Sequence, residues 1–203
     1  MRRLFFLLSL FYHFLVAGRV QICLNPGHGG KDPGTENPRY GASGPYEKDF
    51  NLYIAQVCEE DLVWTLGFSV SMTRINDLTP STKLSLKKRV KMAKGEIENP
   101  YTGQCDTADI LINIHNNGHE SRAAHGTETY WYADSTLAHY VHTHMFNYIS
   151  GFPHASNRGL KRRGLYELTQ FPGPACYAEC AFVTHDTFPN GQWYQLKAKY
   201  PGF

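Results

Sequence analysis

Ten histidines occur in 203 residues, and two of them follow apolar, strand-like runs. His28 lies in the turn-forming stretch Asn25-Pro26-Gly27-His28-Gly29-Gly30, just after the run 19–24, and His115 closes the run 109–114. Glu47 opens a helical pattern after a Gly-, Pro- and Asn-rich loop, where the positive end of a helix dipole favours an anion. Two imidazoles and one carboxylate are the donor set of a catalytic zinc site, because three protein ligands leave one coordination position open to water. A fourth residue, Glu179, sits inside the apolar run 175–183. A carboxylate is costly to bury without a partner. Glu179 is therefore either a functional group facing a cleft or a buried salt-bridge partner of Arg74 or Arg158, and the residue types alone leave the two readings even. His142 and His144 are two apart, so on a helix they point away from each other and cannot share one metal.

The elements that must position these groups alternate along the chain. Runs 19–24, 68–73, 109–114, 125–132 and 175–183 read as strands. Helical periodicity starts at Glu47, with Phe50, Ile54, Val57, Leu62 and Leu66 near one face and Gly67 as the stop. It returns over 81–94, with Leu84, Leu86, Val90 and Ala93, and over 135–149, while 95–107 reads as a surface insertion. This order predicts an α/β fold: a single-domain three-layer sandwich with a mostly parallel twisted sheet flanked by helices. In such sheets ligands collect outside the carboxyl ends of the strands, where His28 and His115 are expected.

Composition narrows the class. Hydrophobic residues make up 42% and charged residues 19%, enough apolar matter for a core and too little charge for a disordered chain. Residues 1–18 combine Arg2-Arg3, the apolar run 4–16 and the small residues Ala17-Gly18, which reads as a signal peptide. The expected mature domain is then 19–203, exported to the periplasm or the extracellular wall, with no membrane span after cleavage and acting as a monomer. Its charge is balanced, 20 − 2 = 18 basic against 18 acidic residues, which argues against nucleic acid as a partner. The dense basic runs, Lys87-Lys88-Arg89-Val90-Lys91 and Lys161-Arg162-Arg163, read as solvated faces or loops. Five cysteines cannot all pair, no CxxC spacing is present, and Cys105 in a polar loop is freest to form a disulfide.

At the chemistry-bearing positions the sequence resembles the zinc-dependent N-acetylmuramoyl-L-alanine amidases that trim bacterial peptidoglycan. The resemblance rests on Leu24-Asn25-Pro26-Gly27-His28-Gly29-Gly30-Lys31-Asp32-Pro33-Gly34, Glu47-Lys48-Asp49-Phe50-Asn51-Leu52, Met72-Thr73-Arg74, Ile112-Asn113-Ile114-His115-Asn116-Asn117, Asn157-Arg158-Gly159 and Ala178-Glu179-Cys180-Ala181-Phe182, in that order. It implies Zn2+ as cofactor, His28, Glu47 and His115 as its ligands, Glu179 as the catalytic acid/base, and peptidoglycan as substrate. The bond cut would be the amide between the lactyl group of N-acetylmuramic acid and L-alanine.

This chain departs from the family pattern in several places. Asn25 stands where Asp is common, and its amide is expected to accept a hydrogen bond from a ligand imidazole. Ala181 replaces a customary glycine, and His185 a customary asparagine. The chain stops soon after Tyr194-Gln195-Leu196, which predicts a shortened final helix and no separate wall-binding module. Arg158, Lys161, Arg162 and Arg163 either meet carboxylates of the peptide stem or are simply solvated. Two rival readings share these residues: another zinc amide hydrolase of carboxypeptidase or deacylase type, and a catalytically silent cell-wall-binding protein.

Overall fold

Short aliphatic runs build the sheet. Ile22, Cys23 and Leu24 of β1 (Gln21–Pro26) are buried on both faces, as a strand between two helical layers should be. The structure, a computed structural model, describes residues 20–37, 46–77, 83–99, 103, 107–151 and 155–185. Its other strands are β2 (Ser69–Met72), β3 (Ile110–Asn117), β4 (Thr127–Trp131), β5 (Asn157–Arg162) and β6 (Ala175–Phe182). Its α-helices are α1 (Glu47–Glu60), α2 (Leu86–Ala93), α3 (Thr136–Ile149) and α4 (Tyr166–Gln170). The strand order is β2-β1-β3-β6-β4-β5, with every pairing parallel except β4 with β6. The predicted α/β sandwich with a mostly parallel sheet is the observed fold.

Side-chain alternation divides the core between the two faces. Ile22, Leu24 and Ile114 pack under α1 together with Ala55, Leu52 and Cys58. On the same face Thr127 and Thr129 meet Met145 and His142 of α3. Cys23, Leu111 and Ala175 point the other way, toward Ala93 of α2 and Phe171 just after α4. Burial of Leu24 and Leu111, 1% and 0% exposed, contributes about 1.5–3 kcal/mol each. Register places His115 beside Glu179 and Glu179 beside Glu128, so these three share the α2/α4 face, next to Tyr177 and Tyr130.

Several boundaries differ from expectation, each for a physical reason. The helix from Glu47 ends at Glu60 and continues as a π-helical turn, Asp61–Thr65, whose extra residue rotates Leu66 out to 60% exposure while Leu62 still packs inward. The helix expected from 81 starts at Leu86, because the Ser85 side chain accepts the Lys88 N–H as its cap; Leu84 is buried before the helix. β3 runs to Asn117, so His115 lies inside the strand rather than after it. β5 and α4 were not expected at all. Within the 95–107 stretch, Asn99 is buried and its amide donates to the Met72 carbonyl, tying that stretch to β2. The leader 1–18, Cys105 and the segment around Tyr194 lie outside the described residues.

Candidate active site

The turn after β1 brings His28 to the rim. Gly27 N–H donates to the Ile114 carbonyl at 2.9 Å, which lashes the turn to β3. His28 itself adopts φ 60°, a left-handed conformation that costs a non-glycine residue free energy and persists only when its surroundings impose it. Two buried arginines do so. Arg89 donates to the carbonyls of Pro26 and His28 at 2.7 and 2.5 Å, and Arg74 to those of Pro26 and Gly27 at 3.2 and 2.9 Å. Arg89 had been expected on a solvated helix face. Instead it is 3% exposed, because α2 turns it inward onto carbonyl oxygens that have no strand partner.

Glu47 is the first residue of α1 and is buried. Its Oε1 lies 3.1 Å from His28 Nε2 and 2.8 Å from His115 Nδ1, while its Oε2 accepts the Thr35 N–H at 2.8 Å. One donor atom from each of His28, Glu47 and His115 lies within 4.8 Å of the others, so the three predicted ligands converge. Glycines make this approach possible. A Cβ on Gly27 would fall 2.0 Å from the His115 ring, and one on Gly34 would fall 2.6 Å from His28 and 2.7 Å from Glu47. The His115 ring is stacked on Tyr177, centroids 4.2 Å apart.

The surrounding bonds orient these donors. His28 Nδ1 is held by Asp32 Oδ1 at 3.0 Å, and Asp32 is in turn paired with Lys83 at 2.9 Å. Asn25, expected to take a ligand imidazole's hydrogen bond, does not. Its Nδ2 donates to Asn113 at 2.6 Å, and its Oδ1 accepts from Thr73 at 2.7 Å and Arg89 at 2.9 Å, one layer below the ligands. Asp32, four residues after His28, fills that role. Burial disfavours a charge on Glu47, but hydrogen bonds from His115 and His28 outweigh it and hold the carboxyl far below the usual carboxylate range. Burial likewise opposes a charged His28, yet the Glu47 and Asp32 carboxylates raise its pKa overall, whereas in His115 burial wins and lowers it. An ionised carboxylate with two clustered imidazoles is a donor set suited to a divalent cation.

Glu179 stands beside His115 across the β3–β6 pairing. Burial, together with the Glu47 and Glu128 charges, raises its pKa well above the usual carboxylate range. Neither proposed salt-bridge partner reaches it. Arg74 is spent on backbone carbonyls, and Arg158 donates to Glu128 at 2.7 Å. Glu179 Oε2 is buried with no hydrogen-bond partner among the described residues. Buried polar atoms are almost always paired, so an orphaned carboxylate oxygen beside three convergent donors is a candidate functional group.

Sequence reasoning missed Asp32, Arg89, Tyr177 and Glu128. The four-residue spacing of His28 and Asp32 was a usable signal; the others are legible only through register and packing. Cys23, Cys58, Cys176 and Cys180 are free thiols. No helix among the described residues is long and apolar enough to cross a membrane.

The sequence and fold are similar to those of known proteins. A cell wall amidase of Staphylococcus aureus, named "Probable cell wall amidase LytH", is 32% identical over 167 residues, 82% of this chain and 49% of its own length. The chain therefore spans about half the length of the curated relatives it matches. Among solved structures, an N-acetylmuramoyl-L-alanine amidase from Clostridium difficile 630 superposes with TM-score 0.69 at 29% identity, covering 84% of each chain. The amidase AmiC2 of Nostoc punctiforme gives TM-score 0.68 at 25% identity, covering 83% of each chain. The sequence profile of the N-acetylmuramoyl-L-alanine amidases matches residues 22–188, from β1 past the end of β6. With that stretch holding every strand of the sheet and all four candidate site residues, the chain belongs to the N-acetylmuramoyl-L-alanine amidase family.

Proposed function

We propose that this chain is a zinc-dependent amidase that hydrolyses the amide between the lactyl group of N-acetylmuramic acid and L-alanine in peptidoglycan. His28, Glu47 and His115 would hold the ion, and Glu179 would act as acid/base. The observation that carries the reading is the unpartnered Oε2 of Glu179 beside three convergent donors. A bound zinc ion supplies Lewis acidity, polarising a carbonyl and lowering the pKa of water. Glu179 takes the proton of the attacking water and returns it to the departing nitrogen of L-alanine. Its raised pKa suits a group that must both accept and release a proton. Asp32 keeps the His28 ring oriented, and Arg74 and Arg89 hold the turn that carries it. Export rests on residues 1–18, read as a signal peptide, and on the cell wall amidase relative. Action as a monomer in the periplasm or wall completes the proposal.

Digestion of purified sacculi tests the reading. The wild type is expected to generate new L-alanine amino termini, whereas a carboxypeptidase or deacylase would release other ends and a silent wall binder none. Glu179→Gln is expected to keep one equivalent of zinc while losing about 10²–10⁴-fold in turnover. Near-normal cleavage by that variant would overturn the assignment of Glu179.

A further inference from the structure

The row His115–Glu179–Glu128 continues onto the edge strand β5, where a second polar cluster lies outside the proposed catalytic chemistry. Glu128 is buried, and both of its oxygens are used. Oε1 accepts from Asn117 Nδ2 at 3.0 Å and from the Tyr130 hydroxyl; Oε2 accepts from Arg158 Nε at 2.7 Å and from Lys161 Nζ. One carboxylate thus serves two cations, leaving the trio with one net positive charge. The cations are not sealed in: the Arg158 and Lys161 side chains are 35% and 40% exposed, against 3% for Glu128. The Arg158 guanidinium lies over the Phe182 ring at 4.9 Å, which fixes its plane. Among the described residues only its Nε is hydrogen-bonded, so its outer edge is available for bidentate binding of an anion.

We propose that Arg158 and Lys161, held by Glu128, form a subsite for the free α-carboxylate of an acidic second residue of the substrate's peptide. The inference rests on the amidase reading, because that reading sets the direction of the substrate. Glu179 protonates the leaving nitrogen, so the peptide departs from the ligand cluster past Glu179, toward β4 and β5. Adjacent strands are about 4.8 Å apart, which puts Glu128 one step and β5 two steps beyond Glu179. Two residues of peptide span at most about 7 Å, enough to carry a second-residue carboxylate to side chains reaching back from β5. The ligand is therefore a muramoyl peptide whose second residue carries a free α-carboxylate, in preference to one whose α-carboxyl is amidated. As a mere staple between β4 and β5, the cluster would treat the two alike.

Calorimetric binding to the Glu179→Gln protein separates these outcomes without relying on turnover. N-acetylmuramoyl-L-alanyl-D-glutamate is expected to bind about tenfold more tightly than the D-isoglutamine form, and the difference should shrink as salt rises. Lys161→Met and Arg158→Gln, each added to that background, are expected to remove the preference while leaving isoglutamine binding unchanged. Equal affinities in the Glu179→Gln protein, or a preference that survives both substitutions, would overturn the subsite. The salt series decides the question without either variant should one fail to fold. If the preference stands but the wild type leaves both amides uncut, the hydrolase reading fails and the subsite survives. Cleavage with no preference means the reverse.

Discussion

Gly27 has no room for a single methyl group. The atom an alanine would add there meets the imidazole of His115, whose ring is stacked on Tyr177, so displacing the ring disturbs that stack. Gly27→Ala is therefore expected to abolish stoichiometric zinc binding by metal analysis, even though the residue carries no donor; a full equivalent in the purified variant would refute this. At this scale the convergence of His28, Glu47 and His115 was legible, because imidazoles late in or just after strands and a helix-opening carboxylate are expected at one rim of such a sheet. The supports were not. Arg89 lies in a basic run that sequence alone assigns to solvent, and only the inward turn of α2 shows that it bonds the carbonyls flanking the site. Asn25 shows the converse error: its place next to the His28 turn suggested contact with a ligand, but strand alternation sends its side chain down to Asn113, Thr73 and Arg89.

Among the elements, α2 links stability to the site. Its cap is the Ser85 side chain accepting from Lys88 N at 3.3 Å, and one turn later it delivers Arg89. Ser85→Ala is expected to cost about 1 kcal/mol in urea unfolding, with the unfolding slope unchanged. No loss would mean that packing alone sets where α2 begins. The central strands were readable because they are apolar on both faces. β5 was not: Asn157-Arg158-Gly159-Leu160-Lys161-Arg162 has no apolar alternation, and as an edge strand it needs none, since basic side chains there also discourage pairing with another sheet. α4, five residues long, is too short for a helical period to show.

For the molecule as a whole, the donors come from three separated segments, the turn after β1, the start of α1 and β3, so an ion bound by them would hold the folded chain together. Zinc in hundredfold excess over its dissociation constant is expected to add about 2.7 kcal/mol to folding stability, and a chelator to remove it. Denaturant midpoints that ignore both treatments would show that the folded chain does not bind the ion. The overall architecture was legible from the alternation of strands and helices, but the insertion of β6 between β3 and β4 was not, because no local pattern encodes which strands are neighbours.

The reversal at β4 has a practical bearing on redesign. β1, β3 and β6 climb toward the ligand cluster and offer their last residues to it, whereas β4 and β5 descend from that same edge and offer their first, Glu128 and Arg158 among them. The connection that enters β4 therefore borders the candidate site, and the one that leaves it lies at the opposite pole. Libraries meant to retune the proposed muropeptide selectivity belong in 118–126, ahead of β4, while tags and fusions are best tolerated around 132–135, where the chain has already passed to the remote side.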